Sequence, residues 1–304
     1  MTGTHIATAG GDGEGPAEFR NAMAIGVHHD TVIVIDSRLH RFSLHDRDGR
    51  FLDSRRTPPA TPFVNPMRDG DALHPFEGGV LYLAIENVHT DRPTRSAMVW
   101  RGLSGDTTQI LREWDAVLWK DMGALLAPAS LFPPRAIVAV GREGRYAHGD
   151  GLEYCFSVEK ADAPQVIRIC RAWQRVAVGP HTRNPPIGDI EMEPNFRQAI
   201  EQVLREQEVE GEWPSYDRLL LAPDGAVWVR TIGPEQPDAN PLLYSQAPHL
   251  RPTHRVWEVF DASGALRSSV MLPTTLDVRV VAEHVAFGFG ELDTGEKVIA
   301  RVAF

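Results

Sequence analysis

The stretch Val32–Phe51, "VIVIDSRLHRFSLHDRDGRF", decides how the whole chain is read. It opens with β-branched residues, Val32 to Asp36, in a run too short for a helix and right for a strand. A polar loop leads into a second apolar segment, Arg41 to His45, and Asp48-Gly49 then makes a tight turn into a third strand at Phe51. The same order returns between Val227 and Val270: "VWVR", a loop, "HRVWEVF", an acidic turn ending at Gly264, and "ALRSSV". In this second copy the loop is swollen to about twenty residues, Gly233 to Pro252. Strand, loop, strand, tight turn, strand is the middle of a four-stranded antiparallel blade. Its repetition predicts an all-β chain, a β-propeller forming a single domain over residues 1–304.

Working outward, further short strands with turn dipeptides between them appear at Gly79–Ile85, Ala136–Gly141 and His284–Gly290. They mark five blade-like units, centred on Val32–Ser54, Gly79–Glu113, Ala136–Val178, Leu219–Val270 and Leu276–Phe304. The last unit has three recognisable strands, and "THIATAG" at Thr4–Gly10 is the natural fourth, which would close the ring without an open edge. Asp53–Arg68 and Trp114–Pro134 are weakly patterned and are where a sixth blade would lie. One segment has helical period. In "PNFRQAIEQVLREQEVEGEW" the residues Phe196, Ile200, Val203 and Leu204 share a face, predicting an inserted helix over 195–207 with Asn195 as N-cap.

The residues from Gly13 to Phe51 resemble one repeat of the NHL-type six-bladed propellers. Asp36, Ser37, His40, Arg41, Asp48 and Gly49 match its strand ending in Asp-Ser, its His-Arg pair and its Asp-Gly turn. Leu39 and Ala17 depart from it. A looser likeness to bacterial six-bladed propellers of mostly unassigned function covers the C-terminal third, so the resemblance implies six blades where the repeat units number five.

Composition narrows the partners. With 41 acidic and 31 basic residues the formal charge is −10, which repels phosphate backbones and anionic lipid surfaces, so neither nucleic acid nor membrane is expected as a partner. No apolar run approaches the ~20 residues that span a bilayer, and Met1–Gly10 lacks the features of a signal peptide. The chain as written reads as a cytoplasmic monomer, and as an exported protein if its true start lies upstream. The two cysteines, Cys155 and Cys170, are expected to be buried free thiols unless they fall on adjacent strands.

"GGDGEGPAEFR", Gly10–Arg20, looks like a binding loop and is not one. Pro16 and Glu18 stand where a Gly-x-Gly-x-x-Gly cradle needs glycine, no helix follows, and Asp12, Glu14 and Glu18 do not make a calcium ladder. It reads as the joint between two blades, with Phe19 wedged between them. Neither a Gly-x-Ser-x-Gly elbow nor a His-Glu-x-x-His pair is present. The candidate site is therefore the channel mouth, where loops following second strands meet interblade joints: Arg38, His89, Asp91, His148 and Asp150 as ligand-binding residues, with Asp36, Arg92, Glu291 and Asp293 nearby. Asp36 and Arg41 are expected to tie their turn together by a charge-assisted hydrogen bond. Two functions stay open. One is a non-catalytic propeller without a cofactor that binds a protein, peptide or small ligand at its mouth. The other is a metal-dependent lyase or lactonase-like hydrolase using His89, His148 and Asp150 with Ca, Mg or Zn.

Overall fold

The computed structural model describes residues 8–36, 38–56, 63–66, 74–86, 90–103, 107–115, 117–121, 126–132, 136–188, 190–234, 237–244, 247–282, 284–291 and 297–303. The first blade is an antiparallel meander of β1 (Ala22–His28), β2 (Thr31–Asp36), β3 (Arg41–Asp46) and β4 (Phe51–Arg56). In the second, β5 (Phe63–Pro66) and β6 (His74–Phe76) both pair with β7 (Gly79–Glu86), followed by β8 (Arg95–Gly102) and β9 (Thr108–Asp115). A separate hairpin, β10 (Trp119–Asp121) with β11 (Leu126–Pro128), intervenes. The third blade is β12 (Ile137–Val140), β13 (Arg145–Gly149), β14 (Cys155–Lys160) and β15 (Ala163–Cys170). The fourth is β16 (Tyr216–Leu221), β17 (Val227–Thr231), β18 (His254–Phe260) and β19 (Leu266–Pro273), and the fifth is β20 (Asp277–Ala282), β21 (Val285–Glu291) and β22 (Lys297–Ala303).

Among the described residues this is a propeller of five blades, the number of repeat units counted in the sequence, and the sixth blade implied by the family resemblance is not among them. The two weakly patterned segments supply β4, β5 and the extra hairpin instead. Of the expected closing strand, residues 4–7 lie outside the described residues, and Thr8–Gly10 form no strand. No helix among the described residues is long and apolar enough to cross a membrane.

The second, third and fourth blades bury both faces, so alternate residues of one strand serve different neighbours. Ile33, Ile35 and Phe42 of the first blade pack on Val80, Tyr82 and Ala84 of the second. The intervening Leu81 and Leu83 pack on Val138 and Val140 of the third. Ile137 and Ala139 then meet Tyr216, Val227 and Val229 of the fourth. Trp228 and Trp257 turn the other way, onto Val278, Val281 and Ala286 of the fifth. The far face of the fifth blade carries Val280, Phe289 and Ile299, all exposed, the last two opposite each other across β21 and β22.

Charged groups repeat across these interfaces. Glu159 on β14 receives the Tyr146 hydroxyl at 2.6 Å and pairs with Arg112 from the outer strand of the preceding blade. Glu258 on β18 receives the Tyr154 hydroxyl at 2.5 Å and pairs with Arg171, again from the end of the preceding blade. The tight turns repeat as well. Asp46 accepts from the backbone of Asp48 and Arg50, and Asp261 accepts from Ser263 and Ala265, with Gly49 and Gly264 at left-handed φ of 82° and 90°.

The N-terminal glycine stretch lies on the first blade. The Arg41 guanidinium donates to the carbonyls of Glu14, Gly15 and Glu18. Asp36, fully buried, accepts instead from the backbone N–H groups of Arg20, Arg38 and Leu39. The expected direct tie between Asp36 and Arg41 is thus replaced by separate ties, Arg41 to carbonyls within the glycine stretch and Asp36 to the Arg20 N–H and to its own turn. Phe19 is half-buried against His45, ring centroids 5.7 Å apart, and a Cβ on Gly10 would meet the Phe19 ring at 2.4 Å.

The cysteines are a correction. The register of β14 and β15 sets Cys155 opposite Cys170, with Cα atoms 4.2 Å apart, and the two form a disulfide rather than free thiols. The helix occupies Pro194–Glu206 with Ala199, Ile200 and Val203 buried, and it starts after Glu193 with Pro194 in its first turn, so Asn195 is inside the helix and not its cap.

The disulfide closes a loop of 15 residues, so a Cys155→Ser, Cys170→Ser double variant should lose about 2–3 kcal/mol in urea unfolding. Phe19→Ala should cost about 2 kcal/mol by the same measurement, below the 3–5 kcal/mol of a fully buried phenylalanine.

Candidate functional site

Three insertions meet at one end of the blades. The β10–β11 hairpin leaves the joint between the second and third blades. The segment with α1 (Pro180–Arg183) and α2 (Pro194–Glu206) leaves the joint between the third and fourth. The third insertion is the loop between β17 and β18, with short 3-10 turns at Pro241–Leu243 and Pro248–Leu250. Ala127 of the hairpin, Val203 of α2 and Leu242 of the loop form one apolar contact. Ile200, Leu243 and Ala247 form another. Polar ties reinforce them. Gln207 donates to the carbonyls of Pro128 and Ser130 at 3.1 and 3.3 Å, and Asp238 accepts the N–H groups of His181 and Thr182 at 3.1 and 2.8 Å. The three pieces make a cap.

Between this cap and the blades is a cavity of about 560 Å³. Its walls come from the starts of β12, β16, β18 and β20 and the ends of β13, β17 and β19, the end of the propeller at which second-strand loops and interblade joints gather. Trp119, Phe132, Trp213, Tyr216, Tyr244 and Trp257 give it an aromatic lining. Arg230 clasps Asp217 with Nε–Oδ1 at 2.6 Å and Nη2–Oδ2 at 3.0 Å, a two-point pair that holds both groups in one orientation. The same guanidinium lies 5.8 Å from the Trp257 ring centre. Tyr216 reaches across from the fourth blade to donate to the Cys155 carbonyl at 2.8 Å, and it passes so close to Gly149 that a Cβ there would meet its hydroxyl. Burial pushes the Tyr216 hydroxyl pKa up, so it stays a neutral donor.

Of the residues singled out in the sequence, Asp150 lines this cavity, exposed, with one carboxylate oxygen taking the Leu152 N–H at 2.9 Å. His148, two residues earlier, does not. It is buried on β13, its Nε2 2.8 Å from Glu159 Oε1 and its ring 5.3 Å from Trp114 of the second blade. Burial lowers its pKa, against the pull of Glu159. Arg38 and Asp91 are exposed on second-strand loops at the same end of the first and second blades, away from the cavity lining. His89 and Asp293 lie outside the described residues, as does the side chain of Glu291. Among the described residues no group of three or more His, Cys, Asp or Glu is placed to hold a metal ion. Arg230, Asp217, Tyr244 and Trp257 were not among the sequence candidates. The signal pointing to them is the swollen loop at Gly233–Pro252, because an insertion in one copy of a repeat marks the face that carries function.

No protein-family model matches the chain, and no curated protein sequence matches it. Solved structures match over most of its length at very low identity. Hydrazine synthase from Kuenenia stuttgartiensis is 10% identical, with TM-score 0.41 over 97% of this chain and 60% of that one. A DUF4221 family member from Bacteroides vulgatus is 8% identical, with TM-score 0.48 over 95% of this chain and 81% of that one. YCF48 bound to D1 peptide is 10% identical, with TM-score 0.39 over 94% of this chain and 61% of that one. The chain therefore spans less than two thirds of the first and third of these proteins, and the propeller assignment stands on its own sheet order.

The loops of the second blade supply a pH test. Glu86, 2% exposed at the end of β7, is gripped by Arg92 Nη1 at 2.6 Å and accepts the Arg95 N–H at 2.7 Å. The Arg92 guanidinium holds its carboxyl down at about 2, against burial, from an ordinary 4.5. A lowered carboxyl pKa contributes stability that is full above the unfolded value and is lost as pH falls toward the folded one. The melting-temperature advantage of wild type over Glu86→Gln should be constant above about pH 5 and shrink steadily from pH 4.5 toward 2.

Proposed function

We propose that the chain is a non-catalytic propeller that binds a small organic ligand in the capped cavity at its channel mouth. The observation that carries this is the cavity itself: three insertions converge to roof about 560 Å³ of aromatic-lined space, within the range that small-molecule sites occupy. Its fixed polar groups, the Asp217–Arg230 pair and Asp150, are few and convergent, which suits orientation of a ligand. A small molecule suits it better than a protein surface, because the lining faces inward between cap and blades. The reading needs no cofactor. The Cys155–Cys170 bridge supports an oxidising compartment, and with it the exported alternative.

The test is a thermal-shift screen of small organic metabolites on wild type and on Leu152→Trp. Leu152 lines the cavity and is 40% exposed, so tryptophan there fills the space without disturbing the core. At least one compound should raise the melting temperature of wild type, with 1:1 stoichiometry by calorimetry, and lose its effect in the variant. Hits that stabilise both proteins equally would place binding elsewhere. A stoichiometric Ca, Mg or Zn in protein purified without a histidine tag, lost in Asp150→Ala, would overturn the reading in favour of metal-dependent chemistry.

A further inference from the structure

The charges on the cavity wall are not all alike. Asp217 is taken up by Arg230, and Asp277 by Arg218 at 2.8 Å and by Arg279 at 2.8 Å. Asp150 and Arg251, both exposed, stand outside these ion pairs, and of the two Arg251 at the rim is the cation. Its Nε donates to the Tyr244 carbonyl at 2.7 Å, which fixes the plane of the guanidinium, and its Nη1 and Nη2 groups have no acceptor among the described residues. Two parallel donors on a fixed stem make the fork that fits a carboxylate, sulfonate or phosphate edge. The ring of Tyr244, which supplies the fixing carbonyl, stands in the same wall, and Trp119 and Trp257 continue the aromatic surface.

The rest of the molecule gives no general reason for a cation here. The chain carries a formal charge of −10, so an anion is repelled at long range and is held only by a group placed to contact it. We propose that the cavity takes a planar or aromatic organic anion, its ring system against the tryptophan and tyrosine faces and its anionic head bidentate on Arg251. This rests on the reading of the cavity as a ligand site and adds the charge and shape of what it holds.

Two dyes with the same rings separate the claims: 1-anilino-8-naphthalenesulfonate, which carries a sulfonate, and N-phenyl-1-naphthylamine, which is neutral. On wild type the sulfonate dye should bind 1:1 and more tightly than the neutral one. Arg251→Gln should weaken the sulfonate dye about tenfold, the loss expected for a charged hydrogen-bond pair, and leave the neutral dye unchanged. Arg251→Lys should restore part of the loss. Leu152→Trp should abolish both. If Arg251→Gln leaves the sulfonate dye unaffected, or the neutral dye binds as tightly, the anion assignment falls while the cavity stands as a ligand site. If neither dye binds wild type, or Leu152→Trp changes nothing, the cavity reading falls and takes the assignment with it.

Discussion

A four-stranded sheet with apolar residues on both faces has no stable existence alone, and this chain is a series of such sheets. Each inner strand divides its residues between two neighbours: Val80 and Tyr82 look toward the first blade, Leu81 and Leu83 toward the third. The core is therefore four interfaces strung along the chain rather than one central mass. Because side chains alternate with a period of two, a one-residue slip in any blade would send every residue to the wrong neighbour. Glu159 and Glu258 make such a slip costlier still, since each must find an arginine from the preceding blade and a tyrosine hydroxyl at the same time. Removing the arginine would leave each carboxylate, buried at Glu258 and half-buried at Glu159, without its guanidinium counter-charge.

That division explains what could be read from the residues and what could not. The turns were legible because they are local: Asp46 with Gly49 and Asp261 with Gly264 use the same side-chain-to-backbone bonds and the same left-handed glycine. The helix was legible because its apolar face has a period of its own, although its first residue was misjudged where Pro194 takes the first turn. The disulfide was not legible, because it depends on the register of β14 against β15, which no spacing along the chain encodes. His148 was misread for a related reason. Its place near a loop suggested the mouth, but its parity on β13 points it into the interface beside Trp114.

The cap escaped notice as a unit because its pieces are far apart in sequence and none is periodic except α2. Leu242, Val203 and Ala127 meet only once the blades have brought three separate insertions to one end. The opposite end of the propeller is closed by tight turns such as His29-Asp30 and Asp48-Gly49, which leave no slack for extra chain. All three insertions leave from the other end, where second-strand loops and interblade joints gather, and the cavity lies between them and the blades.

One repeated position, the end of the second strand, differs between the first two blades and the third and fourth, where the cavity lies. The second strand of the first blade ends in Asp36 and that of the second in Glu86, and both carboxylates are spent holding the backbone of their own loops. In the third and fourth blades the same strand end is Gly149 and Thr231, so no buried carboxylate stands there, and it is the exposed Asp150, one residue on, that takes the Leu152 N–H. Gly149 instead lets Tyr216 cross over it, and the chain after Thr231 is released into the long loop that carries Tyr244 and Arg251. The side of the mouth that carries this long loop is also the one whose wall gathers guanidinium and aromatic side chains.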